Sequence, residues 1–589
     1  MNLEQLGQVA TGGSINSVTE DANGQLWVAS LAGLFCQTAS RWRSMNQQLP
    51  IAYVDQVIAI GDTLFVCGEG KVLRSSNQGK SWHRCLIEQT DEAVYKICAS
   101  PTYAHDRVIL AGSGAGVLRS TNGGKHFELV NFGLEEPMSM AVAVAPTWGK
   151  RNAIAFAFSP AAVYQSPNGG RAWRKGTIPP QYSGHLIHTM AVSPQFETDQ
   201  TVFIGLMSEA KPLTAESAGG AENFQDVAAD HHEVLISADG GQTFAPFLQK
   251  FEPIISLTCP TDGVLMIGTL DGLHRATFDG ALEKVEVEAF LPYLFQLPSG
   301  TYLGTEGAGL LHSADFGRTF QPISELIARR FIQFHTPAPN LWLAAGPDEG
   351  VWRSTDQGQS WQRIWEPNQW SAGAVNALVA TGNEIWLGLW EGIVYSPDGG
   401  TTWGAYQEGH EFAAILKTDN AVWSYSNHAG QLWRDKQLID APFSGGDLLN
   451  LYEGDGAVIA AVWRADAGVI QLWRTQDNGQ TWSRWFAESA RRIIPQISFG
   501  EQILVGIGRK LYQQTPSGWQ PFNTSSPIVA IVQFNSQTVI VQSDQLAIFS
   551  NNALTVTPLD LDGQTIASAA ISNNNLILCT TIGTIINAS

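Results

Sequence analysis

The stretch Ser354-Thr355-Asp356-Gln357-Gly358-Gln359-Ser360-Trp361 decides the fold, because the chain repeats it. The same eight-residue box, Ser/Thr-x-Asp/Asn-x-Gly-x-x-Trp/Phe, starts at Ser75, Ser120, Ser166, Ser237, Ser313, Ser396 and Thr475. Its glycines are Gly79, Gly124, Gly170, Gly241, Gly317, Gly358, Gly400 and Gly479, separated by 45, 46, 71, 76, 41, 42 and 79 residues. Four gaps give a unit of 41 to 46 residues. The gaps of 76 and 79 hold two units each, with degenerate boxes at Arg275-Ala276-Thr277-Phe278-Asp279-Gly280 and Gln431-Leu432-Trp433-Arg434. The gap of 71 is one unit plus an insertion. Weaker copies near Gly33-Leu34-Phe35, Lys510-Leu511-Tyr512, Leu546-Ala547-Ile548 and Thr584-Ile585-Ile586 bring the count to fourteen units of about 42 residues.

Each unit reads as four short strands. In the eighth they are Phe331-Ile332-Gln333-Phe334, Asn340-Leu341-Trp342-Leu343-Ala344, Gly350-Val351-Trp352-Arg353-Ser354 and Ser360-Trp361-Gln362-Arg363-Ile364. Short strands at regular spacing, with Gly, Asn and Asp turns between them, predict an all-β chain. Four strands per unit of this length predict a β-propeller blade. One ring takes roughly 4–8 blades, so fourteen predict tandem seven-bladed β-propellers, one over residues 1–325 and the next over 326–589. The last unit ends one strand short. Residues 4–9, Glu4-Gln5-Leu6-Gly7-Gln8-Val9, have no unit of their own. They are expected to supply that strand, closing the second ring and covering an open sheet edge.

The box has a mechanical reading as the hairpin between third and fourth strands. Its Asp or Asn accepts backbone N–H bonds within the turn, its Gly takes a positive φ, and its aromatic wedges between blades. Asn77, Asn122, Asn168, Asp239, Asp315, Asp356, Asp398 and Asp477 are therefore structural rather than catalytic or metal-binding. The boxes resemble the Asp-box, or BNR repeat, of sialidases, sortilin-type receptors, two-propeller xyloglucanases and photosystem II assembly propellers. That resemblance implies the fold; the repeat serves enzymes and binding proteins alike.

Net charge is −20, from 34 Lys+Arg and 54 Asp+Glu. So acidic a chain repels phosphate backbones, which excludes nucleic acid as the expected partner. Residues 1–8 lack a basic, apolar leader, and no run reaches the ~18 apolar residues of a membrane span, so no membrane insertion is expected. The six cysteines form no CxxC pair and several lie in apolar strands, which predicts buried free thiols, no metal and a cytoplasmic location. No phosphate cradle, dinucleotide fingerprint, nucleophile elbow or zinc spacing occurs, and no cofactor is expected.

Boxes occupy one face of a propeller, so a site belongs on the loops of the other. There the pairs Arg329, Arg330 and Arg491, Arg492 each precede an innermost strand, where guanidiniums suit a carboxylate or phosphate unless they pair with Glu325 and Glu488. Trp370, Trp390, Glu391 and Trp463 add aromatic and acidic loops. The largest insertion, 207–232, is polar and rich in small residues, and reads as a partner-docking loop. Sialidases carry an early Arg-Ile-Pro element that this chain lacks; the nearest string is Arg492-Ile493-Ile494-Pro495. Xyloglucanases of the two-propeller kind carry a catalytic Asp in an Arg-Thr-Asp-x-Gly-Gly string. The comparable Val28-Ala29-Ser30-Leu31-Ala32-Gly33 has neither Arg nor Asp. The expectation is a non-catalytic scaffold that presents loops to protein partners. The alternative is a polysaccharide-active glycoside hydrolase, with carbohydrate as ligand.

Overall fold

The computed structural model describes all residues except 1–2, 9–11, 39–40, 52, 137, 150–151, 208–231, 271, 288–291, 306–308, 324–325, 347–348, 367–373, 444 and 589. Among the described residues, fourteen sheets have four meandering antiparallel strands as their body, each one blade. Blade 3 gains a fifth, Leu86–Ile87, parallel to His126–Leu129. The chain divides into two compact units, residues 11–328 and residues 1–10 with 329–589.

The first unit is a ring of seven blades whose innermost strands run from Ile15–Glu20 in blade 1 to Tyr293–Leu297 in blade 7. Blades 7 and 1 join through Ile15 N–H to the Thr305 carbonyl at 3.0 Å and the Ser299 hydroxyl to Glu20 Oε2 at 2.6 Å. Gly12–Gly13 runs parallel to Ile327–Ala328, so chain entry and chain exit lie side by side. The second unit holds blades 8 to 14. Blade 14 is completed by Leu3–Gln8, antiparallel to Thr584–Ala588. Gln8 fastens this strand twice: its amide donates to the Ile582 carbonyl at 2.7 Å, and its Oε1 accepts from Thr584 Oγ1 at 2.8 Å.

Burial follows from blade-on-blade stacking. Second strands such as Leu26–Ser30, Ile109–Ser113 and Leu341–Gly346 are buried at every position, because a neighbouring blade covers each face. This is why they read as continuous apolar runs rather than alternating ones. Outer strands such as Ala553–Pro558 are largely exposed. The cores lie between blades: Trp27, Leu34, Val57 and Leu64 join blades 1 and 2, and Phe331, Trp342, Ile577 and Ile585 join blades 8 and 14. In blade 8 the first strand is Gln333–Ala338, two residues later than the sequence pattern predicts. Phe331 instead turns its N–H to the Thr581 carbonyl of blade 14.

The boxes form a repeated lock. In each, the first hydroxyl accepts the glycine N–H, as at Ser75 (2.9 Å), Ser354 (2.8 Å) and Thr475 (2.9 Å). That hydroxyl donates to the Asp or Asn, whose Oδ1 accepts the N–H four residues on. In Asp boxes the second oxygen also takes a hydroxyl, as Thr402 Oγ1 to Asp398 Oδ2 at 2.7 Å. These bonds hold Asp315, Asp356, Asp398 and Asp477 down at about 2. The glycine has a second reason: a Cβ on Gly124 would sit 2.4 Å from Phe65 of the preceding blade, and one on Gly400 2.3 Å from Ile364. The degenerate box at Thr277 keeps the same bond, hydroxyl to Asp279.

Candidate functional site

Hairpins joining first to second strands share a face with the boxes. The second-to-third turns and inter-blade links form the other. On that face of the second ring, Trp390 and Glu391 form the tight turn of blade 9 between Glu384–Gly388 and Gly392–Ser396. Leu389 N–H donates to Gly392 O at 2.8 Å, Gly409 N–H to Glu391 O at 3.1 Å and Phe412 N–H to Leu389 O at 2.9 Å. The turn is thus tied at both ends while Trp390 stays 52% exposed.

At the junction of blades 11 and 12, Trp463, Arg491 and Arg492 come together. Trp463 is half-buried and donates from Nε1 to the Ala490 carbonyl at 3.4 Å. Arg491 and Arg492 are exposed, with Arg492 Nε 3.2 Å from Asp447 Oδ2. Ile494, two residues on, is 49% exposed. Arg491 and Arg492 do not pair with Glu488, which takes the Lys510 ammonium at 2.7 Å.

Arg329 departs from its expected role as a ligand-facing cation. It is buried in an ion pair with Glu349, itself buried. Its guanidinium lies 5.2 Å from the Trp352 ring, over which Arg363 also sits at 5.1 Å. The reason is geometric: the second-to-third turn of blade 8 brings Glu349 under the lead-in to the first strand, and Arg330 N–H also reaches Glu349, at 3.3 Å. Glu325 and Trp370 lie outside the described residues, as does 208–231 of the insertion.

The first ring holds a group that the sequence pattern did not single out. Lys96 is the third residue of Val94–Ala99, innermost in blade 3, and His188 the third of Leu186–Val192, innermost in blade 5. Both side chains are exposed to solvent. Yet enclosing protein lowers the affinity of each for its proton, and the Lys96 charge lowers His188 further. The Asp55 carboxylate, on the link into blade 2, acts on Lys96 in the opposite sense. Asp55 too is exposed, and the three sit on, or just before, the innermost strands of blades 2, 3 and 5. The ladder breaks register around Asn16, Tyr95, His188 and Ile255 in four of these innermost strands. Such bulges re-aim side chains. The available signal was a charged or ionisable residue at the third place of an otherwise apolar first strand.

No family model matches the chain, and no curated protein matches its sequence. Solved structures do match its shape. The GH74 xyloglucanase of Xanthomonas campestris superposes with a TM-score of 0.62 at 14% identity, over 100% of this chain and 99% of that one. An ancestral GH74 enzyme gives 0.58 at 14% identity over 100% and 99%. The GH74 enzyme of Niastella koreensis gives 0.50 at 13% over 99% of each. The chain has their fold. At such identity the likeness extends to architecture and no further.

Proposed function

We propose that this protein is a binding propeller, a non-catalytic scaffold whose second ring docks a protein partner on the face opposite the boxes. The observation that carries the reading is Trp390. A large aromatic side chain held out to solvent on a turn tied by three backbone bonds loses little conformational freedom on binding. Tryptophan and arginine supply most interface hot spots. Arg491, Arg492 and Ile494 add a charged and apolar patch on the same face. In this reading the 207–232 insertion is a second docking element, and the site of action is cytoplasmic.

The hydrolase reading, suggested by what the GH74 neighbours are named for, has less support. The second-to-third turn of blade 1 consists of Leu31 and Ala32 between strands and offers no carboxylate. The test compares partners captured from the native cell by the full chain, by Trp390→Ala and by the double variant Arg491→Ala, Arg492→Ala. A stoichiometric partner lost by both variants, and retained by Leu438→Ala on an exposed outer strand, supports the reading. Identical capture by all four rejects it.

A further inference from the structure

We propose that the seam between the outer strands of blades 11 and 12 binds a proline-rich peptide segment that carries an acidic side chain. These strands are Ser483–Ser489 and Gly518–Asn523. Arg484, Trp485, Phe486 and Glu488 of the first, with Tyr512 and Trp519 of blade 12, line a cavity of about 390 Å³. A second cavity of about 400 Å³ adjoins it across Arg484 and Trp485, towards the box of blade 11, so the groove runs on along the strand.

The cavity follows from a missing box. In other seams the box tryptophan of one blade closes onto the blade before it. Trp403 of blade 9 lies 5.1 Å from Trp365 of blade 8 and donates from Nε1 to the Ile364 carbonyl at 3.1 Å. Trp173 of blade 4 donates to the Val130 carbonyl, just beyond the outer strand of blade 3, at 2.8 Å. Blade 12 has no box. Trp519 of its outer strand occupies the seam instead, 5.2 Å from Trp485, with the two rings inclined at 75°. The ladder supplies the other wall. Trp485 is the extra residue between the pairs Trp473–Arg484 and Leu472–Phe486, a bulge of the kind that re-aims a side chain. In blade 8 the same bulge holds Ile364, which lies against Gly400 of the next blade's box. No such box covers Trp485.

The free groups decide the ligand. The indole N–H of Trp485 and that of Trp519 have no acceptor among the described residues, and neither is sealed from solvent. The Arg484 guanidinium is exposed and has no ion pair or hydrogen bond among them either. The other charges are matched: Glu488 with Lys510 at 2.7 Å, Arg474 with Asp455 at 2.8 Å, and Asp477 with the Thr475 and Thr481 hydroxyls of its box. The seam therefore offers aromatic surface, N–H donors and one unmatched cation. Consecutive prolines offer the complement: apolar rings, carbonyl acceptors, no N–H, and an extended backbone that loses little entropy on docking. A sugar would bring donors as well as acceptors. An aspartate or glutamate beside the prolines would answer Arg484.

The test is fluorescence anisotropy of a labelled oligoproline peptide ending in aspartates, titrated with the full chain. The same peptide ending in lysines is run beside it, and a glucose oligomer is added as competitor. Saturable binding of the aspartate peptide is expected, with weaker binding of the lysine peptide. Trp519→Ala should weaken it on the order of tenfold, and Trp519→Phe by less, since the ring stays and the donor goes. Arg484→Ala, at an exposed side chain, should weaken the aspartate peptide several-fold and bring the two peptides level. Absence of saturable binding of the aspartate peptide overturns the proposal. So does an unchanged affinity in Trp519→Ala, or equal affinity of the wild type for the two peptides. Displacement of the peptide by the glucose oligomer would assign a carbohydrate and overturns it as well. Trp519→Phe and Arg484→Ala keep these results separate from misfolding. None of these variants changes Trp390, Arg491 or Arg492, so failure here leaves the docking face standing.

Discussion

Replacing Gln8 by Ala should loosen the second ring, although residue 8 lies far from it in sequence. Gln8 makes two side-chain bonds, to the Ile582 carbonyl and from the Thr584 hydroxyl, at 2.7 and 2.8 Å. Thr584 is buried, at 4% exposure. Each lost bond costs about 1 kcal/mol net, and up to about 3 kcal/mol where the orphaned partner stays dry. The substitution should therefore destabilise the second ring by roughly 2–4 kcal/mol. The paired control is Glu4→Ala on the same strand, an exposed side chain whose loss should stay within about 0.5 kcal/mol. Fifteen of the twenty tryptophans lie beyond residue 328, so tryptophan fluorescence in a denaturant titration reports mainly on this ring. Hydrogen exchange adds a local readout: amides of Thr584–Ala588 should lose protection in Gln8→Ala and keep it in Glu4→Ala. Equal midpoints for Gln8→Ala and wild type, with unchanged protection, would refute the idea that the N-terminal strand clasps this ring.

Acid should weaken the boxes in a defined window. Asp315, Asp356, Asp398 and Asp477 fall to about 2 in the fold, from an ordinary 3.8. Their contribution is present above about pH 4 and fades as pH falls towards 2, because the unfolded chain binds those protons first; Asp477→Asn and Asp398→Asn should flatten that fall in an equilibrium unfolding series. Gly124→Ala should cost about 2–5 kcal/mol, from a φ of +76° and a Cβ 2.4 Å from Phe65. Gly61→Ala, with a φ of +56° but no atom within 4 Å, should cost only the backbone part, about 1–2 kcal/mol. A thiol-reactive chromophore at pH 8 should label the native chain slowly, since burial holds Cys36, Cys85, Cys98 and Cys579 up at about 12, and should titrate all six cysteines once the chain is unfolded.

The repeat made the fold legible because its constraint is local. A Ser hydroxyl, an Asp oxygen and a left-handed Gly within eight residues fix one hairpin, and the hairpin fixes the blade. Copies without the box remained legible through spacing: blades 12 and 13 have no Asp lock, yet Lys510–Thr515 and Gln545–Ser550 sit where the 42-residue period puts a third strand. The candidate sites were less legible, since they depend on what faces a side chain across a turn or an axis. Arg329 and Arg491 look alike in sequence, each the first Arg of a pair before an innermost strand. One is buried because Glu349 comes back beneath it; the other is exposed. Lys96 gave only a weak signal, as the charged groups that act on it and on which it acts, Asp55 and His188, come from distant parts of the chain.

The connectivity constrains how such a chain folds. Closing the second ring joins residues 574 and 576 positions apart, through Gln8 with Ile582 and Thr584. A contact so distant in sequence is slow to find in an open chain. The first ring changes that search. Its entry and exit, Gly12–Gly13 and Ile327–Ala328, pair directly, so once it has folded it no longer counts as a flexible loop of more than 300 residues. The N-terminal strand is then carried to within a few residues of the start of the second ring at Arg329. Loop-closure entropy grows only slowly with length, so the gain is chiefly kinetic. The expected order is first ring, then blades 8 to 13, then capture of Leu3–Gln8 by blade 14. Pulse-labelled hydrogen exchange reads that order directly. Protection of Thr584–Ala588 before that of the blade 1–7 strands would contradict it, and a Gly12→Pro change in the entry strand, which pairs with Ile327–Ala328, should delay the second ring's closure without altering the first strands to form.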